Sequence, residues 1–392
     1  MTEMAHGTVL VHSGDAVLPR WWRSVDRITI GCVLTLFALG LVLGFAASTP
    51  LALRNNLDPM YYVNRQAVFG TGALLIMLIT SMLPPLVLRR LATLGCAAGL
   101  VALALLPVLG TDFGTGGTRW FSLGFASVQP SEFLKPVYVV VTAWMIAASQ
   151  ELAGPPGKSI SLGLTILIVG LLAIQPDFGQ SALILFAWCV IYFVAGAPML
   201  IVIVLAALIA GAGVIAYQNS EHFARRIDAF MSPDLDPYGQ LARAEGAIRE
   251  GGFLGAGLGE GAVIRRLPDA HTDFIIAVAA EEYGLILVLV IIGLFCTIAL
   301  RAFFRLMRER DPFLRLAGTG LASLITLQAF INLAVAVRLV PAKGMTLPFV
   351  SYGGSSLIAT GIALGMLLAF TRKRPQGEIA DAFGGMLQAR AR

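Results

Sequence analysis

The chain has 392 residues, 57% of them hydrophobic and 13% charged, against about 25% charged in an ordinary soluble domain. That balance excludes a soluble globular protein and indicates an integral membrane protein, all-α and polytopic. The net charge of +5 is mild, and the basic residues flank apolar runs, which speaks to orientation in a bilayer and against a nucleic-acid partner.

Residues 1–27 read as a polar cytoplasmic leader whose end carries Pro19, Arg20, Arg23 and Arg27. The apolar run behind it, 28–47, is long enough to span and has no A-x-A cleavage site, so it reads as a retained first helix. Further runs of spanning length lie at 66–88, 91–109, 133–148, 160–174, 181–195, 198–217, 274–300, 313–337 and 350–370, about ten spans in all. Cys32, Cys96, Cys189 and Cys296 fall far apart inside apolar runs and read as small core hydrophobes, not as a zinc site or disulfides.

Arginine sets the orientation. Arg20, Arg23 and Arg27 precede span one, and Arg89 and Arg90 join spans two and three. Arg301, Arg305, Arg308, Arg310 and Arg315 join eight and nine, and Arg372, Lys373 and Arg374 follow ten. Short cytoplasmic loops retain positive charge, and a ten-span count puts all four groups on one side. Both termini are then cytoplasmic, with a membrane domain at 28–370, a tail at 371–392 that reads as disordered after Pro375, and a large outer loop at 218–272 between helices seven and eight. From 218 to 270 that loop holds eight acidic residues against six arginines, too balanced for an orientation signal. It contains the turn-rich SPDLDPYG, 232–239, and GAIREGGFLGAGLGEG, 246–261, whose glycines permit close backbone approach. A flexible solvent loop is the alternative.

Three other segments share the outer side. GTGGTRWFSLGFASVQPSEFLKP, 114–136, delivers Arg119, Trp120, Gln129, Glu132 and Lys135 as span four begins. Trp120 reads as an interfacial anchor. Glu132 and Lys135 share a helical face, as a local i,i+3 pair or as part of a site. Only four lysines occur in the chain, and two of them, Lys135 and Lys343, stand at outer helix mouths where orientation does not ask for them. QPDFGQSAL, 175–183, places Asp177 in a short turn, more readily a helix cap than a catalyst. VRLVPAKGMTLPFVSYGGSS, 337–356, interrupts two spans with Pro341, Gly344, Pro348, Gly353 and Gly354; backbone broken at membrane depth must be buried in protein or line a cavity.

LPDAHTDFIIAVAAEEYG, 267–284, carries four carboxylates. Asp269 belongs to the loop. Asp273 opens span eight, as a partner of the helix dipole with Thr272 as cap or as a group for chemistry. Glu281 and Glu282 lie about 12 Å deeper at ~1.5 Å per residue, where carboxylates mark a cavity or relay unless they pair for packing.

TRWFSLGFASVQPSEFLK, QPDFGQSAL, LPDAHTDFIIAVAAEEYG and KGMTLPFVSYGGSS, in this order and in a ten-span setting from about Arg20 to Arg374, resemble the bacterial family of shape, elongation, division and sporulation proteins, FtsW, RodA and SpoVE. The KGMTLP form looks more like the FtsW branch than the RodA branch. The resemblance implies an inverting peptidoglycan glycosyltransferase that polymerises lipid II at the outer face of the cytoplasmic (inner) membrane, at the division septum. It also implies a class B penicillin-binding transpeptidase and other divisome proteins as partners. It matches Asp273 to the family's catalytic aspartate and Arg119, Glu132 and Lys135 to its pocket, with Lys343 and Ser351 as further candidates. Gln129 and His271 join the expected substrate pocket, and Asp177, Glu281 and Glu282 the cavity lining. Two departures touch the loop: Gly261 stands where many relatives carry serine, and YGQLARAEGAIREGG lacks their tyrosine-glutamine run.

Joining two lipid-linked sugars requires a proton to leave a hydroxyl as it attacks an anomeric carbon that is losing pyrophosphate. A carboxylate can be the base, and Arg119, Lys135 and Lys343 can offset charge on the leaving group. The alternative role of Asp273 is as ligand to a divalent cation, magnesium or manganese; no other cofactor is expected. Two further readings are a flippase of the lipid-linked precursor, for which broken helices and intramembrane carboxylates also speak, and a non-enzymatic scaffold that recruits the transpeptidase.

Overall fold

The computed structural model describes residues 17–111, 117–122, 124, 127–151, 153–219, 221–231, 240–257, 259–261, 267, 269–340 and 344–373. Ten apolar helices form the bundle: α2 (Arg27–Arg54), α3 (Tyr61–Met82), α4 (Pro85–Leu109), α5 (Pro130–Ala148), α6 (Gly157–Ile174), α7 (Phe178–Val194), α8 (Met199–Asn219), α11 (Ile275–Leu306), α12 (Pro312–Ala336) and α13 (Gly354–Phe370). Eight are long and apolar enough to cross a membrane, and α7 and α13 are shorter apolar helices of 17 residues. Three polar helices complete the set: α1 (Val17–Ser24) before the first span, and α9 (Glu221–Met231) and α10 (Gln240–Gly251) in the expected outer loop. A two-residue hairpin, β1 (Phe121–Ser122) with β2 (Ser127–Val128), precedes α5.

An apolar helix stands at each of the ten expected spans, with shifted ends. The second was expected to run through residue 88, but α3 stops at Met82 and Pro84–Pro85 start α4, so Arg89 and Arg90 lie inside a helix and not in a loop. Proline lacks an N–H and fits only the first helical turn, which makes the pair a stop and a start at once. The last span was expected from residue 350, but 344–353 are non-helical and α13 begins at Gly354. The outer stretch carries α9 and α10 in place of an unstructured loop. SPDLDPYG, Lys343 and the tail beyond Lys373 lie outside the described residues.

α5, α12 and α13 are the most enclosed of these helices, and α12 packs against α5, α7, α11 and α13. Leu134, Tyr138, Trp188, Phe274, Phe349 and Phe370 are fully buried among them. No side chain described in α8 is buried, as in a lipid-facing helix.

The two ends of the bundle differ. At one end Asp26, the N-cap of α2, holds Arg301 by two nitrogens (2.8 and 2.9 Å) and Arg305 at 3.4 Å. There Trp21 Nε1 also donates to Ser81 Oγ, and Arg372 Nε to Ser24 Oγ. This is the arginine-rich end, which the charge rule places in the cytoplasm. At the opposite, outer end the starts of α3, α5, α7, α11 and α13 surround a cavity.

Candidate active site

The outer cavity measures about 350 Å³ and is lined by Arg65 and Phe69 of α3, Arg119 and Trp120 before the hairpin, Gln129 and Glu132 at the start of α5, Asp177, Asp269, Asp273, Tyr352 and Ser356, among others. Each wall is held by a local device. Arg119 donates to the carbonyls of Gln175 (3.1 Å) and Pro176 (2.9 Å), which ties the approach to the hairpin to the α6–α7 turn. Asp177 caps α7 by accepting from Gln180 N at 3.4 Å and also accepts from Gln129 Nε2 at 3.2 Å. It is thus both the expected cap and part of the cavity wall. Burial pushes its carboxyl above the ordinary carboxylate range, and the Arg119 charge partly offsets this.

Beneath the cavity Lys135 Nζ lies 3.0 Å from both oxygens of Glu132 and 3.1 Å from Gln328 Oε1. Gln180 Nε2 donates to Glu132 Oε1 at 2.6 Å. The i,i+3 pair exists, fully buried, and its remaining hydrogen-bonding capacity is met by amides of two other helices, the condition for a buried ion pair to be tolerated.

Asp273 sits just outside α11, in a turn closed by the Asp269 carbonyl, which accepts from the N–H groups of Thr272 and Asp273 at 3.1 Å. Asp269 adopts φ 56°, the left-handed conformation that aspartate tolerates better than most residues. Thr272 bonds back to Asp269 O and caps nothing; the N-cap of α11 is Phe274. The Asp273 carboxylate is half-buried and has no hydrogen-bond donor among the described residues. Burial, aided by the negative charge of Asp269, pushes it from an ordinary 3.8 to about 7.

Beside Asp273 runs the broken segment 344–353, where a Cβ on Gly344 would come within 3.6 Å of Asp273 Oδ2. Its carbonyls are satisfied by side-chain amides: Met345 O by Asn332 Nδ2 (2.6 Å), Thr346 O by Gln328 Nε2 (3.1 Å) and Val350 O by Gln66 Nε2 (3.0 Å). Irregular backbone survives at this depth because every one of these groups has a protein partner.

Of the residues expected from sequence, Arg119, Gln129, Glu132, Asp177 and Asp273 come together on the cavity. Lys135 lies below it. Ser351 is not on its wall: it is buried, and its hydroxyl accepts from Leu347 N at 2.9 Å. His271 is not on the cavity wall either. Its ring packs against Tyr62 and Tyr352 at 5.4 Å from each, and burial holds its pKa below the ordinary value, against the pull of Asp269. Glu281 and Glu282 do not line the cavity. The Glu282 carboxylate meets the glycine-rich loop, where Gly259 N donates to its Oε1, and the backbone carbonyl of Glu281 accepts from Ala256 N. Trp120, expected as an interfacial anchor, and Asp269, expected to belong to the loop, both line the cavity.

Sequence reasoning passed over Arg65 and Tyr352, and the amides Gln180, Gln328 and Asn332 beneath the wall. Arg65 carried a usable signal, an arginine at the outer mouth of span two where orientation does not call for one. The amides carried none, since a lone Gln or Asn in an apolar helix does not reveal its partner.

Among the described residues no group of three or more His, Cys, Asp or Glu side chains could hold a metal ion. The available donors are the carboxylates of Asp273 and Asp269, a set that fits only an ion completing its shell with water and phosphate oxygens, as magnesium does.

Fold and cavity together define a multi-pass membrane protein with a site of mixed charge at the outer ends of its helices. The chain belongs to the FtsW/RodA/SpoVE family of cell cycle proteins, whose profile matches residues 26–376. It is 43% identical over 357 residues to the probable peptidoglycan glycosyltransferase FtsW of Caulobacter vibrioides, covering 91% of each chain. It is 36% identical to the protein of the same name from Trichlorobacter lovleyi, covering 88% of this chain and 92% of that one. Its fold matches a chain from a peptidoglycan synthase complex solved to show how polymerization and crosslinking are coordinated, with a TM-score of 0.74, 30% identity and coverage of 89% and 98%. It also matches RodA of Thermus thermophilus, with a TM-score of 0.63, 28% identity and coverage of 89% and 97%. The sequence resemblance is thereby confirmed, on the FtsW side of the family.

Proposed function

We propose that the chain is a peptidoglycan glycosyltransferase that polymerises lipid II into septal glycan strands at the outer face of the cytoplasmic membrane. The observation that carries the mechanism is Asp273: a carboxylate with no hydrogen-bond donor among the described residues, lifted to about 7, in a cavity that also holds Arg65 and Arg119. A base is most effective when its pKa lies near the working pH. Asp273 takes the proton from the attacking sugar hydroxyl. The oxygen forms a bond to the anomeric carbon of the second lipid-linked sugar, and the bond from that carbon to the pyrophosphate breaks with inversion. The electron pair leaves on the lipid pyrophosphate, whose charge Arg65 and Arg119 offset. A divalent cation, if one takes part, would be held by Asp273 with Asp269 and would add positive charge at the pyrophosphate.

The gathering of charged lining at one end of the bundle favours a polymerase over a transporter, which calls for a site near mid-depth. The likeness to a chain solved within a peptidoglycan synthase complex supports a class B penicillin-binding transpeptidase as partner; other divisome proteins follow from the family resemblance alone.

The test is glycan synthesis from fluorescent lipid II in proteoliposomes holding the protein and its transpeptidase. Asp273→Asn should slow it by about 10²–10⁴-fold; a folded variant that polymerises at the wild-type rate removes Asp273 from the chemistry. Wild-type liposomes that move lipid II across the membrane without making polymer would establish the flippase instead. A chelator that leaves the rate unchanged assigns Asp273 as base, and a loss restored by magnesium assigns it as ligand.

A further inference from the structure

We propose that Asn332 of α12 is a positioning residue for the reaction, clamping the Asp273 turn to the neighbouring broken segment after Gly344 at the cavity wall. The inference rests on the polymerase reading above. One nitrogen of Asn332 donates to two carbonyls from adjoining segments of the wall, Asp273 O at 3.0 Å and Met345 O at 2.6 Å. The amide orientation is forced by these contacts, because the flipped form would set its oxygen against two carbonyl oxygens. The carbonyl of Asn332 is buried and has no partner among the described residues. A side chain kept for stability would have that acceptor satisfied or would be apolar. This one leaves its acceptor unmet while its donor serves the backbone of the residue that carries the chemistry.

One helical turn earlier on the same face of α12, Gln328 repeats the arrangement. Its Nε2 donates to Thr346 O at 3.1 Å and its Oε1 accepts from Lys135 at 3.1 Å. The two amides lash 345–346 to Asp273 on one side and to the Lys135–Glu132 pair on the other. α12 is among the most enclosed spans, so the lashing is referred to a rigid element. The turn of Asp273 has no regular ladder to fix it, and the segment beside it has none either. Asn332 supplies the connection that regular structure does not.

The experiment compares wild type, Asn332→Leu, Asn332→Ser and Asp273→Asn in the same proteoliposome assay, reading kcat, KM for lipid II and the pH profile. Asn332→Leu keeps the volume and removes both donors. It should lose roughly 10- to 100-fold in kcat, as misplacement of a reacting group by an ångström does, with KM within about twofold of wild type. Its acidic limb should move to lower pH, since a loosened turn admits water to Asp273 and relieves the desolvation that raises it. Asn332→Ser reaches one carbonyl at most and should show the same changes to a smaller extent; it decides the matter if the leucine variant does not insert. Wild-type kcat and an unmoved limb in a folded variant overturn the inference, as does a change confined to KM or melting temperature. If Asp273→Asn polymerises normally, the polymerase reading fails and this inference with it. If Asp273→Asn is inactive while the Asn332 variants match wild type, only the inference fails.

Discussion

The behaviour of Asp273 is set by what its neighbours withhold. No donor reaches its carboxylate among the described residues, and the group is pushed to about 7 by burial first and the Asp269 charge second. Acting as a base it must be ionised, so polymerisation should climb as pH rises through about 7 and level above it. Asp269→Asn isolates the second cause. Asparagine accepts the left-handed φ of 56° at this position as readily as aspartate, so the turn keeps its shape while one negative charge disappears. The acidic limb should then move below its wild-type position, with the plateau retained. A limb that stays in place, measured on the folded variant, shows that Asp269 does not act on Asp273 through charge; loss of the plateau with rescue by added magnesium shows Asp269 to be a cation ligand.

At the scale of elements, α11 shows how the outer loop is built into the bundle. Gly284 takes φ 75° and ψ −175° inside the helix, a conformation essentially confined to glycine, and it interrupts the i to i−4 ladder. The groups set free find partners in the loop: Leu285 N donates to Gly252 O at 3.0 Å, and the carbonyls of Glu281 and Glu282 accept from Ala256 N at 2.7 Å and Gly257 N at 3.2 Å. A Cβ on Gly284 would overlap the Phe253 carbonyl. Gly284→Ala should therefore destabilise by at least about 2 kcal/mol, from dihedral strain together with the overlap. Gly293→Ala, in the same helix with open space around it, should be neutral or stabilising by about 0.5–1 kcal/mol. Thermal melting in detergent compares the two; equal melting temperatures would remove the break as a structural joint. The sequence shows this joint only in part. GGFLGAGLGEG was legible as a place of close backbone approach, yet Glu281 and Glu282 pointed to a cavity, because a carboxylate in an apolar run looks the same whether it faces solvent or, as Glu282 does, a glycine loop. The ten spans were legible because twenty apolar residues have few other uses in water, and Asp273, Glu132 and Arg119 stood out as charges at helix mouths. The aromatic enclosure of His271 by Tyr62 and Tyr352, and the bonds from Gln328 and Asn332, join residues far apart in the chain, and no local pattern reports them.

Across the whole molecule the two ends carry opposite kinds of carboxylate, and opposite responses to losing them follow. Asp26 is buried with Arg301 and Arg305 around it; burial alone would raise its pKa, but the Arg301 hydrogen bond and the charges of Arg305 and Arg301 hold it below the ordinary 3.8. A depressed carboxyl contributes stability that is complete above the unfolded value and is lost only as pH falls through the folded one. Asp26→Asn should thus destabilise by roughly 3 kcal/mol, the scale of breaking a buried pair, by the same amount anywhere between pH 5 and 8. Asp273 runs the other way. Its raised pKa favours the folded state below 3.8, and that advantage disappears as pH rises to about 7. Asp273→Asn should match wild type in melting temperature at the acid extreme, gain on it progressively up to about pH 7, and keep a constant lead above. The Asp26 variant, assayed below its melting temperature, should polymerise normally, because the clasp lies at the far end of the bundle from the cavity. The Asp273 variant should be the more stable protein and the inactive one. If instead Asp273→Asn melts lower than wild type at pH 8, the aspartate is held there by a favourable contact, and its elevation by burial is wrong.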